Sequence, residues 1–314
     1  MSPLVETVSF VFGLVAFGYL AGWIGLLKPQ VGDALTDFAI SVAVPLLLFR
    51  TMAGAGFDGH VPWHLWIAYF SAIAVAWIAG QLIITRVFGR DARAGVVAGL
   101  STSFSNLVLL GIPFMLGVYG QSGFEILSLI ISIHLPIMMG MSILLFALVG
   151  RSGNGGFLQL AREFVVNLFS SPLIIGILAG LAWRFSGLEM PALGTRFVDA
   201  LANIAGPTAL FAMGLGLRKF GISGDIRPAL VIAGLKLFLM PAVALAMAKM
   251  LGLPLLSAQV VVAAASLPSG VNPYLIANRF GTGQALASNS MTIGTLFAVV
   301  TTAFWLSAVH WVYP

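Results

Sequence analysis

Two short stretches gather polar and helix-breaking residues inside otherwise apolar sequence. The first reads Ser101-Thr-Ser-Phe-Ser-Asn106-Leu-Val-Leu-Leu-Gly111-Ile-Pro113, and the second Ser266-Leu-Pro268-Ser-Gly270-Val-Asn272-Pro273-Tyr274. Pro268 and Pro273 each remove an amide hydrogen and clash with the preceding turn, so with Gly270 between them the backbone must unwind. Gly111 and Pro113 punctuate the first stretch in a similar way. The chemistry open to such segments is recognition of a small polar or charged group. Asn106 at a helix break can donate to a carboxylate and accept from a neighbouring amide, or it can tie two helices together. Asn272 suits the same recognition, or capping of the helix that follows it. Ser103, Ser105, Ser269 and Tyr274 are supporting donors, each equally open to a packing role.

Two titratable side chains stand in apolar surroundings. Lys236 lies five residues before Pro241 with no acidic residue at comparable depth. An ammonium there either stays charged against carbonyls or a bound anion, or becomes neutral and relays protons; snorkelling to an interface is the alternative. His134, next to Pro136, belongs to the residue type that changes charge near neutral pH, and is otherwise a hydrogen-bonded core histidine. Lys236 and His134 are the coupling candidates. Asp37 and Asp199 suit interfacial helix starts, where carboxylates favour the N-terminal dipole. No buried carboxylate pair supports a sodium cage. Backbone carbonyls at the breaks remain open to sodium, so coupling to H+ or Na+ is unresolved at this level.

The elements that position these residues are membrane helices. Of 314 residues, 60% are hydrophobic and 8% charged, with mean hydropathy +1.05. A soluble domain carries about 25% charged residues, so there is too little polar material to coat a water-facing surface. Apolar windows fall near 4–27, 33–52, 63–87, 93–117, 123–149, 163–185, 194–217, 227–251, 255–278 and 284–311. Runs such as Ile126 to Ile133 are apolar on every face, which excludes the alternating pattern of a transmembrane barrel. The chain is therefore expected to be an all-α integral membrane protein of ten transmembrane helices. The first window lacks a charged leader and a cleavage site and is expected to be a retained span. The absence of Cys excludes thiolate metal sites and disulfides. No cofactor or metal is called for, and the scattered basic residues read as topology signals with no nucleic-acid partner. The first, third, fifth, seventh and ninth loops hold Lys28, Arg86, Arg90, Arg93, Arg151, Arg162, Arg218, Lys219, Arg227 and Arg279, whereas the even loops hold only Arg50, Arg184, Arg196 and Lys249. That bias places the odd loops in the cytoplasm and both termini outside the inner (plasma) membrane.

The glycine-rich run Gly150 to Gly156 falls at the midpoint of the ten spans and divides the chain into halves, 1–150 and 151–314. Asp37, Pro45 and Phe49 in the second span recur at the same spacing as Asp199, Pro207 and Phe211 in the seventh. With five spans per half, the second copy enters the membrane from the opposite side, giving an inverted repeat. The two interrupted stretches fall in the fourth and ninth spans, which are equivalent positions. Broken helices in matching positions point to a binding site, and half-helix N-termini favour an anionic group there.

Asn106-Leu-Val-Leu-Leu-Gly-Ile-Pro113 and Pro268-Ser-Gly-Val-Asn-Pro273 resemble the fourth- and ninth-span motifs of the auxin efflux carrier family, which holds plant auxin exporters and bacterial permeases for malonate, malate and other organic acids. The resemblance covers the whole chain. It implies a scaffold from helices 1, 2, 6 and 7, and a transport domain from helices 3–5 and 8–10 moving as an elevator. It also implies broken fourth and ninth helices crossing at the centre, a small organic anion as substrate, and a homodimer. Members often carry a basic residue at the position of Lys236. Ser105 stands where the plant carriers have a proline, which predicts a milder fourth-helix break, and the short central loop predicts no phosphorylation control.

Rival classes are weaker. Asp33-Ala-Leu-Thr-Asp37 has the DxxxD spacing with which intramembrane prenyltransferases bind magnesium pyrophosphate, but the ten acidic residues provide no second pair at that spacing. An intramembrane protease needs a Ser/His dyad or paired aspartates, and His134 alone is too little. An anion channel is the stronger alternative, because broken helices line pores too. The sequence leaves substrate identity and transport direction open.

Overall fold

The computed structural model describes residues 3–54, 62–149, 162, 165–166, 169–217, 224 and 226–313. The glycine run from Gly150, with Arg151, and the loop residues Arg218 and Lys219 lie outside the described residues. Among the described residues the architecture is helical, and the only β pairing is one isolated bridge.

The helices in chain order are α1 (Pro3–Trp23), α2 (Pro29–Phe38), α3 (Val44–Gly54), α4 (Trp63–Leu82), α5 (Ala92–Ser103), α6 (Ile112–Val149), α7 (Pro172–Ser186), α8 (Ala192–Asn203), α9 (Ala205–Leu217), α10 (Ile226–Gly234), α11 (Met240–Met250), α12 (Leu255–Ser266), α13 (Asn272–Phe280) and α14 (Gln284–Val312). Among the described residues, seven helical stretches are long and apolar enough to cross a membrane, from Glu6–Trp23 to Gln284–Val312. One of them, Leu107–Val149, runs for 43 residues, about twice what a single crossing needs. Gly120 interrupts it with φ 62° and ψ −157°, a conformation that glycine adopts without steric cost. Shorter apolar helices cover Pro172–Ser186 and Leu255–Ser266. This is a multi-pass membrane protein.

Two features recur along the chain. Six of the eight left-handed glycines among the described residues fall in three pairs, Gly25 with Gly187, Gly89 with Gly252, and Gly120 with Gly283, while Gly224 and Gly281 stand outside them. Four five-residue π turns also interrupt the spans, at Ala39–Ala43, Ile83–Val87, Leu107–Gly111 and Leu235–Leu239. The stretches Trp63–Val87 and Ile226–Met250 have the same length, 25 residues, and α5 and α12 are both 12 residues long.

Packing sorts the chain into two units, each drawing on both sequence halves. Unit 1 comprises Met1–Val61, Val108–Ser132 and Arg162–Lys219. Within it α1 packs along α9, and α3 along α7 and α8. A Cβ at Gly18 would overlap the Phe211 carbonyl, and one at Gly214 the Val15 carbonyl. Small residues let these two backbones approach, the usual solution where lipid supplies no hydrophobic drive between helices. Unit 2 comprises Pro62–Leu107, Ile133–Ala161 and Phe220–Pro314. There α4 packs on α5 and α11, α12 on α11 and α14, and α10 on α14.

Candidate functional site

The site is built within unit 2 from the ends of α5 and α12. α5 starts on Asp91, whose side chain accepts the Ala94 amide at 2.7 Å. Its last turn carries Thr102 and Ser103, whose hydroxyls fold back on their own helix. The single hydroxyl hydrogen of Thr102 has three carbonyl acceptors within reach, Gly99 O at 2.8 Å, Ala76 O of α4 at 2.9 Å and Ala98 O at 3.1 Å, while Ser103 Oγ donates to Gly99 O at 2.7 Å. Such back-bonds compete with helix propagation. Phe104 is extended, with φ −83° and ψ 99°. The break in this span is therefore complete although Ser105 is not a proline, contrary to the milder interruption expected from the sequence.

A partner in space explains it. Ser105 pairs with Ser269 in an antiparallel bridge. The Asn106 amide donates to the Pro268 carbonyl at 2.9 Å, and the Gly270 amide donates to the Phe104 carbonyl at 3.4 Å. Each break satisfies backbone groups that the other exposes, as must happen at membrane depth. The amides of Ser105 and Ser269 form no backbone bond among the described residues. Both serines are buried, as is Asn106, which is 8% exposed. A Cβ at Gly270 would lie 3.5 to 3.6 Å from Asn106 Cα, Cβ and Cγ. The missing side chain at 270 thus leaves that side of Asn106 uncovered by residue 270.

α12 ends because Leu267 is extended and Pro268 has no amide hydrogen. Its terminal carbonyls lack intrahelical partners, and two side chains take them. Lys236 Nζ donates to Ala265 O at 2.6 Å, and Thr302 Oγ1 donates to Ser266 O at 3.4 Å. Lys236 is 1% exposed, so its ammonium does not snorkel but caps a half-helix C-terminus, where the dipole favours a cation. It belongs to the π turn Leu235–Leu239, immediately ahead of α11. Pro241 withholds the amide that the Leu237 carbonyl would accept, and Trp305 Nε1 supplies the bond instead at 2.8 Å.

After the second break α13 begins at Asn272 with Pro273 in its first turn and Val271 as its N-cap, which offers no side-chain cap. Asn272 is half-buried, and Tyr274 follows it in the first turn. The bridge thus brings together Ser105, Asn106, Pro268, Ser269 and Gly270. Ser103 is committed to its own helix. Gly111 and Pro113 belong to unit 1, where Pro113 packs against Gly206.

His134 is buried with its ring 4.8 Å from that of Phe104 and 5.7 Å from that of Tyr69. Neither ring nitrogen has a hydrogen-bond partner among the described residues, so this is not the hydrogen-bonded core histidine of the sequence reading. Tyr69, fully buried beside it, and Ser101, whose hydroxyl also lacks a partner among the described residues, were not singled out from sequence. A tyrosine inside an apolar span was the available signal. Among the described residues no three His, Asp or Glu side chains converge as a metal site.

A multi-pass helical protein whose interrupted spans pair through their exposed backbone has the makings of a membrane transporter. The chain belongs to the membrane transport protein family, that of the auxin efflux carriers, whose profile matches residues 3–306. It is similar to a putative malonate transporter of Rhizobium meliloti, 27% identical over 316 residues, covering 96% of this chain and 94% of that protein. It is 25% identical to an uncharacterized transporter of Methanothermobacter thermautotrophicus over 308 residues, 96% of each chain. Auxin efflux carrier component 8 of Arabidopsis thaliana is 24% identical over 347 residues, 94% of this chain and 93% of that one.

Proposed function

We propose that this chain is a secondary carrier moving a small organic anion, a carboxylate, across the inner or plasma membrane. The observation that carries the reading is the buried bridge between Ser105 and Ser269. It holds two interrupted spans together and places Asn106 and the Ser269 amide beside the start of α13, an arrangement of donors suited to a carboxylate. The malonate named for one relative belongs to the same chemical class. Lys236 supplies a buried cation within the same unit.

The carrier is read as ten spans in two inverted five-helix repeats, with the broken fourth and ninth helices crossing at the centre. The pairing of left-handed glycines supports this, the last two pairs standing 163 residues apart (89 to 252 and 120 to 283). Helices 1, 2, 6 and 7 fall in unit 1 and helices 3, 8, 9 and 10 in unit 2, while helices 4 and 5, assigned whole to the transport domain by the resemblance, are divided, with Val108–Ser132 in unit 1. Unit 1 then acts as scaffold and dimer surface, and unit 2 as the moving element of an elevator. Both termini face outward on this reading.

The test is uptake of labelled malonate and other carboxylates into proteoliposomes. Saturation and counterflow are expected, with Asn106→Ala and Asn272→Ala weakening affinity by about five- to 150-fold, the cost of removing a polar partner in a water-poor site. Unitary currents in a planar bilayer would make the protein a channel. Thermal stabilisation by neutral or cationic compounds alone would end the anion reading.

A further inference from the structure

Unit 1 contains a recess that the carrier reading does not use. Its volume is about 360 Å³, within the range of small-molecule sites. Its walls are apolar, among them Phe10, Leu14, Leu116 and Leu210, and its polar side chains are Arg50 and Asn203. Close backbone contacts bound it. Gly117 lies against Thr7, whose Oγ1 donates to the Gly117 carbonyl at 3.4 Å, and Gly206 lies against Pro113.

Arg50 is the chemical feature of the recess. Nη1 donates to Asp199 Oδ1 at 3.0 Å and to Asn203 Oδ1 at 2.9 Å. The Nη2 and Nε hydrogens make no hydrogen bond to any described residue. Arg50 also borders a second recess of about 250 Å³, which Asp199 lines as well. The Arg50 side chain is 31% exposed and therefore open to a ligand. A guanidinium presents a planar fork that matches one carboxylate in two parallel bonds. Asp199 offsets the positive charge, so attraction comes from that fork and from apolar burial rather than from net charge.

We infer that this recess binds an amphipathic monocarboxylate, its head on the unused edge of Arg50 and its apolar body against Phe10, Leu14, Leu116 and Leu210. A dicarboxylate is disfavoured, because its second charge would be buried among leucines without a partner. The ligand class is shared with the proposed carrier function, but the inference concerns binding at a separate set of residues.

The experiment is calorimetric titration of the full chain in nanodiscs with hexanoate, phenylacetate and malonate. Hexanoate or phenylacetate is expected to bind at a site that Arg50→Gln weakens by about tenfold or more, the loss of a charge-assisted pair. Leu14→Trp fills the recess with the ion pair intact and should abolish the same site, so a folding defect in the arginine variant does not decide the matter. Thermal melts establish that each variant is folded. Asn106→Ala should remove transport-linked binding and keep the Arg50-dependent site. If neither recess variant alters binding while Asn106→Ala abolishes it all, the inference falls and the carrier reading stands. If Arg50-dependent binding persists in a protein that transports no carboxylate, the carrier reading falls alone. Equal binding of malonate at this site overturns the inference, as does native mass spectrometry that finds a phospholipid held through Arg50 and not displaced by the acids.

Discussion

Replacing Lys236 with methionine separates a structural cap from a ligand group. The side chain keeps its length and apolar stem and loses the ammonium that donates to Ala265 O at 2.6 Å. The interaction has two favourable parts. A hydrogen bond from a charged donor contributes about 1.5 to 3 kcal/mol, and a cation at a partly buried helix C-terminus contributes up to about 2 kcal/mol. Against these stands desolvation of an ammonium that is 1% exposed, which costs several kcal/mol even after relaxation. The desolvation cost offsets most of the gain, but the variant also leaves the Ala265 carbonyl without its donor, so substrate-free Lys236→Met is expected to lie within about 2 kcal/mol of the parent.

A bound carboxylate changes the balance, because it gives the ammonium a countercharge that the protein lacks at that depth. Losing that bond should weaken carboxylate binding by roughly ten- to 150-fold, the equivalent of about 1.5 to 3 kcal/mol. Thermal melts with and without carboxylate, together with calorimetric titration, read both quantities on one sample. The reasoning fails if Lys236→Met lowers substrate-free stability by more than about 2 kcal/mol while carboxylate affinity is unchanged. That result would make Lys236 a helix cap and nothing more.

Three further outcomes follow from the same geometry. Trp305→Phe strands the Leu237 carbonyl that the indole now satisfies at 2.8 Å. It should cost about 1 to 3 kcal/mol, and adding Pro241→Ala, which restores an amide for that carbonyl, should recover part of the melting temperature. Ser105→Pro should be tolerated, and should stabilise by about 0.4 to 1 kcal/mol, because the bridge uses the amides of 106 and 270 and not that of 105, and extended Phe104 already suits the residue before a proline. A large loss of melting temperature would mean that the Ser105 amide or hydroxyl is essential. Gly270→Ala should fold, since its Cβ would meet Asn106 at 3.5 to 3.6 Å, an ordinary contact. That methyl covers one side of Asn106, so carboxylate uptake should fall while the melting curve stays in place; unchanged uptake would remove this face from the site.

Much of this arrangement was legible in the sequence, for a definable reason. Prolines and glycines act through local backbone sterics, so Pro268, Gly270 and Pro273 announce their break without any knowledge of the fold. The glycines at 25, 89 and 120 and their partners at 187, 252 and 283 were also on view as a repeat, although the repeat was read from the Asp-Pro-Phe spacing and the matched interrupted spans. What stayed hidden depends on distant neighbours. The depth of the Ser103 to Asn106 break comes from a segment that includes Ser269, far along the chain, and no residue at 105 encodes it. Arg50 counted only as a loop charge for topology, because its pairing with Asp199 requires the packing of α3 on α8. The environment of His134 is likewise set by Tyr69 and Phe104 from other elements.

The asymmetry between the two breaks has a consequence for binding. An unwound segment in a membrane protein normally spends its polar side chains on its own exposed backbone, since each unsatisfied group there is expensive. Here each backbone satisfies part of the other: Asn106 N–H meets Pro268 O, and Gly270 N–H meets Phe104 O. The carbonyls at the end of α12 are taken by Lys236 and Thr302, from other helices. α13 starts on Val271 without a side-chain cap, so Asn272, one residue past that N-cap and half-buried beside the break, is relieved of capping duty. Pro268 ends α12 without needing a partner, and the serine-rich first break pairs with the segment that follows it. Because neither break bonds its backbone to Asn272 among the described residues, Asn272→Ala should leave the melting curve in place and, on the proposed carrier reading, lower carboxylate affinity.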